Sequence, residues 1–341
     1  MCQPIPALQS TGMRGLPEAI DHLLAVEFRP DGFRDGMIEP LWQAARRLLG
    51  APMAWTAAVR LLELAESGRS VYLTTGVISP DSLPQGETDG PLGLAAVARA
   101  LSLRTRARLV VLTEAAGLEP VTATLGAAGV GESCEVRSFP TEPQAAQMRS
   151  RQLAEEVGAL FAIEKIGPTP DGSLRRAGGQ DATKHLARVD FLVGELRRRG
   201  VLTIGVGDWG NEIGFGAIRS TAAAVQPLGE LIATVTECDV PVVATCSNWA
   251  GFGIAAAMAG LRRDPNLLLD GRLHAAMLTA CCGAGGRDSA AEAPVRAVDG
   301  IPAASNQAFC DLLCGLVEFN LSRRQPAHAE LARADAGENA P

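Results

Sequence analysis

The chain has 341 residues, 47% of them hydrophobic and 20% charged, which predicts a globular protein with a sizeable core in one large or two modest domains. The formal net charge of −7 argues against nucleic-acid binding, because phosphate contacts need a basic face. No apolar stretch approaches the roughly 18 residues of a membrane span, and the N-terminus has no signal-peptide pattern, so we expect a soluble, cytoplasmic protein without a membrane partner.

Residues 1–66 have the periodicity of helices. Apolar residues recur at helical spacing over 19–26, 38–49 and 54–64, and Pro and Gly separate these stretches. The segment contains no cluster of reactive side chains. We therefore predict an N-terminal helical cover for the main domain, whose apolar faces would also allow a homodimer.

The pattern changes at Ser70, where short apolar runs begin to alternate with longer helical stretches. Strands are predicted at 71–75, 108–113, 134–138, 160–163, 201–206 and 240–245. Helices are predicted between them, notably over 91–103 and 183–199. This alternation predicts an α/β domain over residues 67–324 with a mostly parallel, Rossmann-like sheet and helices on both faces. Ligands bind such sheets at the carboxyl ends of the strands.

The C-terminal part of the sequence predicts a helix near 305–321 and a flexible tail over 325–341. Eight cysteines are present, but they show neither CxxC nor Cys/His zinc spacing. We expect reduced, mostly buried thiols.

The first polar cluster is Gly86-Glu87-Thr88-Asp89-Gly90-Pro91, between a predicted strand and a predicted helix. Two carboxylates and a hydroxyl between glycines suit a substrate-binding loop or a metal cradle. The same residues suit a helix N-terminus, with Thr88 or Asp89 as the cap and Pro91 in the first turn. The sequence leaves both interpretations open.

The second cluster, Glu164 and Lys165, follows the predicted strand 160–163. An acid and a base at this position form either a plain ion pair or a catalytic pair. In the catalytic interpretation, Lys165 holds a substrate carboxylate and Glu164 takes a proton.

The third cluster follows strand 201–206 and contains a GxGxxG pattern at Gly205, Gly207 and Gly210. A dinucleotide site is one interpretation. However, Asp208 and Glu212 would stand where a pyrophosphate must lie, so we expect no nucleotide. Four glycines among these side chains suit a backbone that approaches a small ligand or a cation, and the oxygens of Asp208, Asn211 and Glu212 favour Mn²⁺ or Mg²⁺ over zinc.

Two further clusters complete the set. Ser247 and Asn248 follow strand 240–245, where they would cap the next helix and leave its N–H groups to hold a substrate carboxylate. Asp299, in Val298-Asp299-Gly300, fits either a turn or a substrate-binding position.

These clusters, in this order, resemble the D-glutamate cyclase family, which comprises the C-terminal module of mitochondrial D-glutamate cyclase and stand-alone bacterial relatives. The resemblance runs from about Ser70 to Phe309. It rests on GETDGP at 86–91, IEKIG at 163–167, GDWGNEIGFG at 207–216, SNWAGFG at 247–253 and VDGIP at 298–302. Two places depart from the family pattern: Trp209 replaces a small residue, and the segment 173–179 lacks the usual arrangement of an aromatic residue and an arginine.

The resemblance implies a carbon–oxygen lyase that converts D-glutamate to 5-oxo-D-proline and water. The reaction needs a base for the amine, an anchor for the α-carboxylate and a proton donor or cation at the other carboxylate. We assign Glu164 as the base and Asp208 and Glu212 as metal ligands or proton shuttles. Lys165 and the Ser247–Asn248 helix start would hold carboxylates, and Glu87 and Asp89 would close the site or add ligands.

Three other functions fit the same residues. A related cyclodehydratase or hydro-lyase acting on another amino dicarboxylate would share every acidic motif and differ around Arg175 and Arg176. A nucleotide-dependent enzyme would use the GxGxxG glycines. A non-catalytic protein that binds an acidic metabolite would use the same pocket without turnover.

Overall fold

The computed structural model describes residues 15–28 and 36–322. Its centre is a six-stranded sheet in the order β3-β2-β1-β4-β5-β6, in which every neighbouring pair is parallel. The strands are β1 (Val71–Thr74), β2 (Leu109–Thr113), β3 (Cys134–Ser138), β4 (Ala159–Ile163), β5 (Leu202–Gly207) and β6 (Val240–Val243). Two short antiparallel strands follow late in the chain, β7 (Ala297–Val298) and β8 (Ile301–Pro302).

Helices precede the sheet, connect its strands and follow it. Before β1 lie α1 (Leu16–Leu24), α2 (Ile38–Leu49) and α3 (Met53–Glu66). Between the strands lie α4 (Pro91–Arg104), α5 (Leu118–Ala127), α6 (Pro143–Leu153), α7 (Val189–Arg198), α8 (Arg219–Val225) and α9 (Gly229–Ile232). After β6 lie α10 (Ser247–Arg262), α11 (Gly271–Gly283) and α12 (Ala303–Ser322). The predicted α/β, Rossmann-like class with an N-terminal helical segment is confirmed.

The sheet is buried on both faces because successive side chains of a strand point to opposite sides. In β1, Val71 and Leu73 join the larger core, together with residues of α1–α5 and α10–α12. Tyr72, between them, joins the second core, which is formed mainly with α6 and α7. The buried strands therefore consist of consecutive apolar residues, and these runs predict the strands from the sequence.

The N-terminal helices share the larger core, where α1 and α3 contact α10, and α2 and α3 contact β6. The buried carboxylate of Asp21 in α1 accepts hydrogen bonds from the N–H groups of Met53 (2.5 Å) and Ala54 (3.0 Å) at the start of α3. The predicted domain boundary near residue 66 stays a prediction. Residues 1–14 and 29–35 of the predicted cover and the predicted tail lie outside the described residues.

One predicted helix begins later than expected. The segment 183–199 is helical only from Val189, because the preceding residues are held in turns. Thr183 donates to its neighbour Asp181, and the N–H of Ala187 donates to Glu114 Oε1 at the end of β2 (2.7 Å). These contacts involve groups that a continued helix would need for its own hydrogen bonds.

The seven cysteines in the described part of the chain are free, and five of them are buried, as predicted. No single helix among the described residues has the length and apolar composition of a membrane span. The pair α2–α3 meets that criterion only when joined, and it is bent by 49°.

Candidate active site

The strand order reverses direction between β1 and β4, and polar loops leave the carboxyl ends of these two strands and of β5. The loop after β1 carries Glu87 and Asp89, Glu164 follows β4 directly, and Asp208 follows β5. Because the strands are parallel, all these loops meet at one edge of the sheet, at the point where doubly wound proteins bind ligands. The sequence prediction of a site at this edge agrees with the observed topology.

Asp89 occupies the N-terminus of α10. Its Oδ2 accepts a hydrogen bond from the N–H of Ser247 (2.9 Å), and its Oδ1 accepts one from the N–H of Asn248 (2.7 Å). The thiol of Cys246 also faces Oδ1 at 3.4 Å. We expected these N–H groups to hold a substrate carboxylate, but in this structure the protein's own carboxylate fills that position.

Asn248 caps a different helix from the one that contains it. Its Oδ1 accepts from the N–H groups of Gly90 (2.9 Å) and Gly93 (2.7 Å) at the start of α4, and its Nδ2 donates to Thr88 O (2.9 Å). The predicted cap of α10 by a Ser247 or Asn248 side chain is therefore wrong, because α10 begins at Ser247 without a side-chain cap. Asn248 serves to join the loop after β1 to α10.

Glu164 stands in a left-handed backbone conformation, with φ of 46°, where non-glycine residues are uncommon. The conformation directs its carboxylate toward α10, and its Oε2 accepts from Ser247 Oγ at 2.6 Å. A strained backbone conformation persists only where the surrounding structure holds it, and such residues cluster at functional sites. Glu164, Asp89 and Asp208 are buried, and one carboxylate oxygen of each lies within 4.8 Å of the others.

Glu212 is bound by the backbone of its own loop. Its Oε1 accepts from the N–H groups of Asp208 (3.0 Å) and Trp209 (2.8 Å), and its Oε2 accepts from Gly210 N–H (2.7 Å). The carboxylate thus fills the ring of N–H groups that a glycine-rich loop would offer to a phosphate. The expectation that no nucleotide binds here stays a prediction, for which this geometry supplies a physical reason.

The glycines of the GxGxxG pattern permit close packing of this loop. A Cβ on Gly205 would lie 2.1 Å from the carbonyl oxygen of Ile213, and one on Gly207 would lie 2.6 Å from the Glu212 carboxyl carbon. Gly210 has φ of 92°, a conformation that side chains disfavour. These positions need glycine for the loop's own structure.

Lys165 does not line the pocket. It is 1% exposed, and its Nζ forms an ion pair with Glu114 at the end of β2 and donates to Gly76 O at 3.1 Å. The plain ion pair that the sequence left open is the arrangement observed, and the role of Lys165 as a substrate anchor does not fit it. No acidic motif surrounds Glu114, so the sequence pattern does not predict this partner of Lys165.

A cavity of about 370 Å³ opens beside the acidic cluster, within the range of roughly 300–1,000 Å³ that small-molecule sites occupy. Four of the predicted site residues line it: Glu87, Glu164, Asn211 and Asp299. The other lining residues are Val77, Ile166, Arg176, Ala177, Gly178, Gln180, Trp209, Ser289, Ala290 and Glu292. Arg176, Ala177 and Gly178, which belong to the segment 173–179 singled out in the sequence, therefore line one side of the pocket.

The remaining predicted residues lie close by in supporting positions. Thr88 donates from Oγ1 to Ala297 O (2.8 Å), and Gly90 has φ of 94° beside Asp89. Asn211 Nδ2 donates to Arg175 O (2.9 Å), which ties the β5 loop to the pocket wall. Asp299, with φ of 51°, accepts a hydrogen bond from Ser289 Oγ.

Three carboxyl groups around the cluster have raised pKa values. Burial, followed by repulsion from Asp299 and Asp89, raises the pKa of Glu87 well above its usual range. Burial and the charge of Glu212 do the same to the pKa of Glu164. Burial raises the pKa of Asp89 to about 7, and the three backbone N–H groups that it accepts from oppose this shift. A carboxyl with a raised pKa keeps its proton to higher pH than usual, and the value for Asp89 lies near neutral pH, where general acid–base chemistry operates.

The donor set fits a hard divalent cation. Asp89, Glu164 and Asp208 offer only oxygen ligands, the set that Mg²⁺ and Mn²⁺ prefer. Nearby, the buried Oε1 of Glu87 has no hydrogen-bond partner among the described residues. The predicted metal pair shares Asp208 with this group. Glu212 is not part of this group, and both its oxygens accept from the backbone of its own loop.

Comparison with known proteins adds two findings. The sequence model of the family described as D-glutamate cyclase-like, C-terminal, matches residues 38–314. The human protein named D-glutamate cyclase, mitochondrial, is 35% identical to the chain over 101 residues. That alignment covers 29% of this chain and only 16% of the human protein.

Proposed function

The chain belongs to the D-glutamate cyclase-like family, and from this premise we propose that it is a lyase that converts D-glutamate to 5-oxo-D-proline and water. The observation that carries the proposal is a pocket wall formed by Glu87 and Glu164, two buried carboxyls with raised pKa values at the carboxyl edge of the sheet. A cyclodehydration needs a proton acceptor and a proton donor side by side, and two carboxyls that line one pocket can fill these two roles.

The reaction forms a bond between the α-nitrogen and the side-chain carboxyl carbon and breaks one carbon–oxygen bond of that carboxyl. The ammonium group loses two protons, and the departing oxygen gains two as it leaves as water. Glu164 takes the first proton from the amine. Because it is held by Ser247 Oγ and by its strained backbone, its carboxylate keeps one orientation toward the pocket.

Glu87 is suited to give a proton to the departing oxygen. Its pKa is raised, so its neutral form persists to higher pH, and its Oε1 has no hydrogen-bond partner among the described residues. A buried neutral carboxyl with a free oxygen can donate to a substrate without first breaking a contact within the protein. Losing one such positioned group costs about 10²–10⁴-fold in rate.

Asp89, Glu164 and Asp208 would hold Mn²⁺ or Mg²⁺, which would supply positive charge against the substrate carboxylate. Glu212 acts as a positioning residue in this proposal, since it fixes the loop that carries Asp208. The acidic wall also favours the ammonium group of the substrate.

A second candidate is a cyclodehydratase for another amino dicarboxylate. It is favoured by Trp209, a large side chain on the pocket wall at a position where the family pattern has a small residue. A substrate series that differs by one methylene, D-aspartate, D-glutamate and D-2-aminoadipate, separates the two, because a pocket of fixed depth distinguishes such neighbours by about 10-fold to 200-fold.

The experiment that tests the proposal is an NMR time course of the purified protein with D-glutamate and with L-glutamate, with added Mn²⁺ and with EDTA. We expect 5-oxoproline to appear from D-glutamate alone, and its formation to stop when Glu164→Gln replaces the wild type. Absence of turnover for every member of the substrate series would overturn the proposal and favour a binding protein.

A further inference from the structure

Among the residues that line the pocket, Arg176 is the only one with a cationic side chain. Its Nη1 donates to Ser82 Oγ (3.0 Å), and its Nη2 lies 3.6 Å from Glu292 Oε1, beyond hydrogen-bond distance. The backbone holds it in a turn, in which the N–H of Arg176 donates to Gln180 O and the N–H of Gly179 donates to Arg176 O. The guanidinium therefore has a defined position at the pocket and donors that remain available.

The other anion-binding groups at this edge of the sheet are already used by the protein's own carboxylates, within the described part of the chain. Asp89 accepts hydrogen bonds from the N–H groups at the start of α10, and Glu212 accepts them from the N–H groups of the loop after β5. Glu114 forms an ion pair with Lys165. An acidic ligand that enters the pocket meets Glu87, Glu164 and Asp299 on the wall. Arg176 is thus the one group there with a full positive charge to offset an incoming carboxylate.

We propose that Arg176 binds the α-carboxylate of the substrate and fixes which end of the molecule faces the acidic wall. This inference rests on the proposed function for the identity of the carboxylate. The guanidinium forms paired hydrogen bonds with a carboxylate, which set orientation as well as affinity. With the α-carboxylate at Arg176, the ammonium group and the side-chain carboxyl reach toward Glu164 and Glu87.

Glu292 is the exchangeable partner of Arg176. Its side chain is 54% exposed, so its contact with the guanidinium at 3.6 Å is screened by solvent and is easily replaced by a substrate carboxylate. Removing this competitor by Glu292→Gln should tighten substrate binding, by about 2-fold to 5-fold for an exposed pair of this kind.

The matched control is Arg175, the neighbouring arginine. Its side chain lies outside the pocket lining and donates to Gly179 O (3.2 Å) and to Asp171 Oδ2 (3.4 Å). Arg175→Gln and Arg176→Gln make the same chemical change one residue apart in one turn. A purely structural effect on the turn should therefore appear in both variants.

The test measures the binding of 5-oxo-D-proline, which retains the α-carboxylate, and of 5-oxo-D-prolinamide, which lacks that charge, by titration calorimetry. We expect Arg176→Gln to weaken binding of the acid by about 10-fold to 100-fold and to leave binding of the amide nearly unchanged. Arg176→Lys should restore part of the affinity, and Arg175→Gln should match the wild type. With D-glutamate as substrate, Arg176→Gln should raise KM more than it lowers kcat.

Three results would each contradict the proposal that Arg176 binds the α-carboxylate. They are equal loss of affinity in Arg175→Gln and Arg176→Gln, equal loss of affinity for the acid and the amide, and failure of the wild type to bind the acid. These outcomes are separable from failure of the proposed function. Binding of the acid that depends on Arg176, without turnover of D-glutamate, would sustain the anchor and reject the cyclase reaction. Turnover of D-glutamate that Arg176→Gln leaves unchanged would support the cyclase reaction and reject Arg176 as the carboxylate-binding residue.

Discussion

Asp89, which lies just before α4, caps the N-terminus of α10, and Asn248 of α10 caps the N-terminus of α4. The Asp89 carboxylate accepts from two N–H groups at the start of α10, and the Asn248 amide oxygen accepts from two N–H groups at the start of α4. The two helices approach so closely that a Cβ on Gly251 would lie 2.4 Å from the Cα of Gly93. This exchange fixes the loop after β1 against α10 and so places Asp89 beside Glu164.

The substitution Asn248→Ala should destabilise the protein. It would leave the N–H group of Gly93 and the Thr88 carbonyl without these partners in a buried region, at a cost of about 2–4 kcal/mol in the free energy of unfolding, while the N–H of Gly90 keeps its hydrogen bond to Asp89 Oδ1. Urea titration followed by circular dichroism measures this value. Asn320→Ala is the control, because Asn320 donates only to the carbonyl of Leu316 in its own helix (2.8 Å), and we expect a change of about 0.5 kcal/mol or less. Equal costs for the two variants would contradict the capping role.

The substitution Lys165→Met distinguishes the observed ion pair from the substrate-binding role that the sequence left open. Removing the lysine leaves Glu114 charged and buried, which typically costs about 3–5 kcal/mol of stability. The double variant Lys165→Met with Glu114→Gln should recover part of this loss, because the remaining carboxamide is neutral. A Lys165→Met protein that keeps its stability but loses affinity for 5-oxo-D-proline would instead support the substrate role.

The fold could be predicted from the sequence because each buried strand of the sheet is a short run of apolar residues. Strand β3 has the predicted limits, and Glu164 and Asp208 lie at the carboxyl ends of strands as expected. These features depend on runs of neighbouring residues whose side chains share one environment.

The partners of the polar side chains could not be predicted, since they come from distant parts of the chain. Lys165 and Glu114 are 51 positions apart, and Asp89 and Ser247 are 158 apart. A motif shows which chemical groups are present, but the N–H groups of α10 suit a substrate carboxylate and Asp89 equally well. Only the tertiary structure decides which of the two occupies them, and it left Arg176 as the available cation.

The pH dependence of stability should report on Asp21, whose pKa burial raises from 3.8 to about 6. A carboxyl with a raised pKa stabilises the fold fully below pH 4, and this contribution is lost as the pH rises through 6. The free energy of unfolding of the wild type, relative to that of Asp21→Asn, should therefore fall by about 2.4 kcal/mol between pH 4 and pH 7. Urea titrations of both proteins at each pH give this difference. A difference that is constant or that rises with pH would show that burial does not govern this group.

Binding of Mn²⁺ should raise the melting temperature if Asp89, Glu164 and Asp208 form the metal site. At about 100 times its dissociation constant, a ligand adds about 2.7 kcal/mol to stability, which corresponds to several degrees for a chain of this size. Glu164→Gln and Asp208→Asn should each abolish most of this shift, and Glu119→Gln, a change at an exposed residue outside the cluster, should retain it.

Glu212→Gln separates the two possible ligand sets. If Glu212 only positions the loop, this variant should melt at a lower temperature without Mn²⁺, because its carboxamide nitrogen would face a backbone N–H, yet it should still gain stability from the ion. If Glu212 were itself a ligand, as the sequence predicted, the variant would respond to Mn²⁺ no more than Asp208→Asn does. The size of the Mn²⁺-induced shift therefore decides between a pair that contains Glu212 and the group of three buried carboxylates, independently of any measurement of turnover.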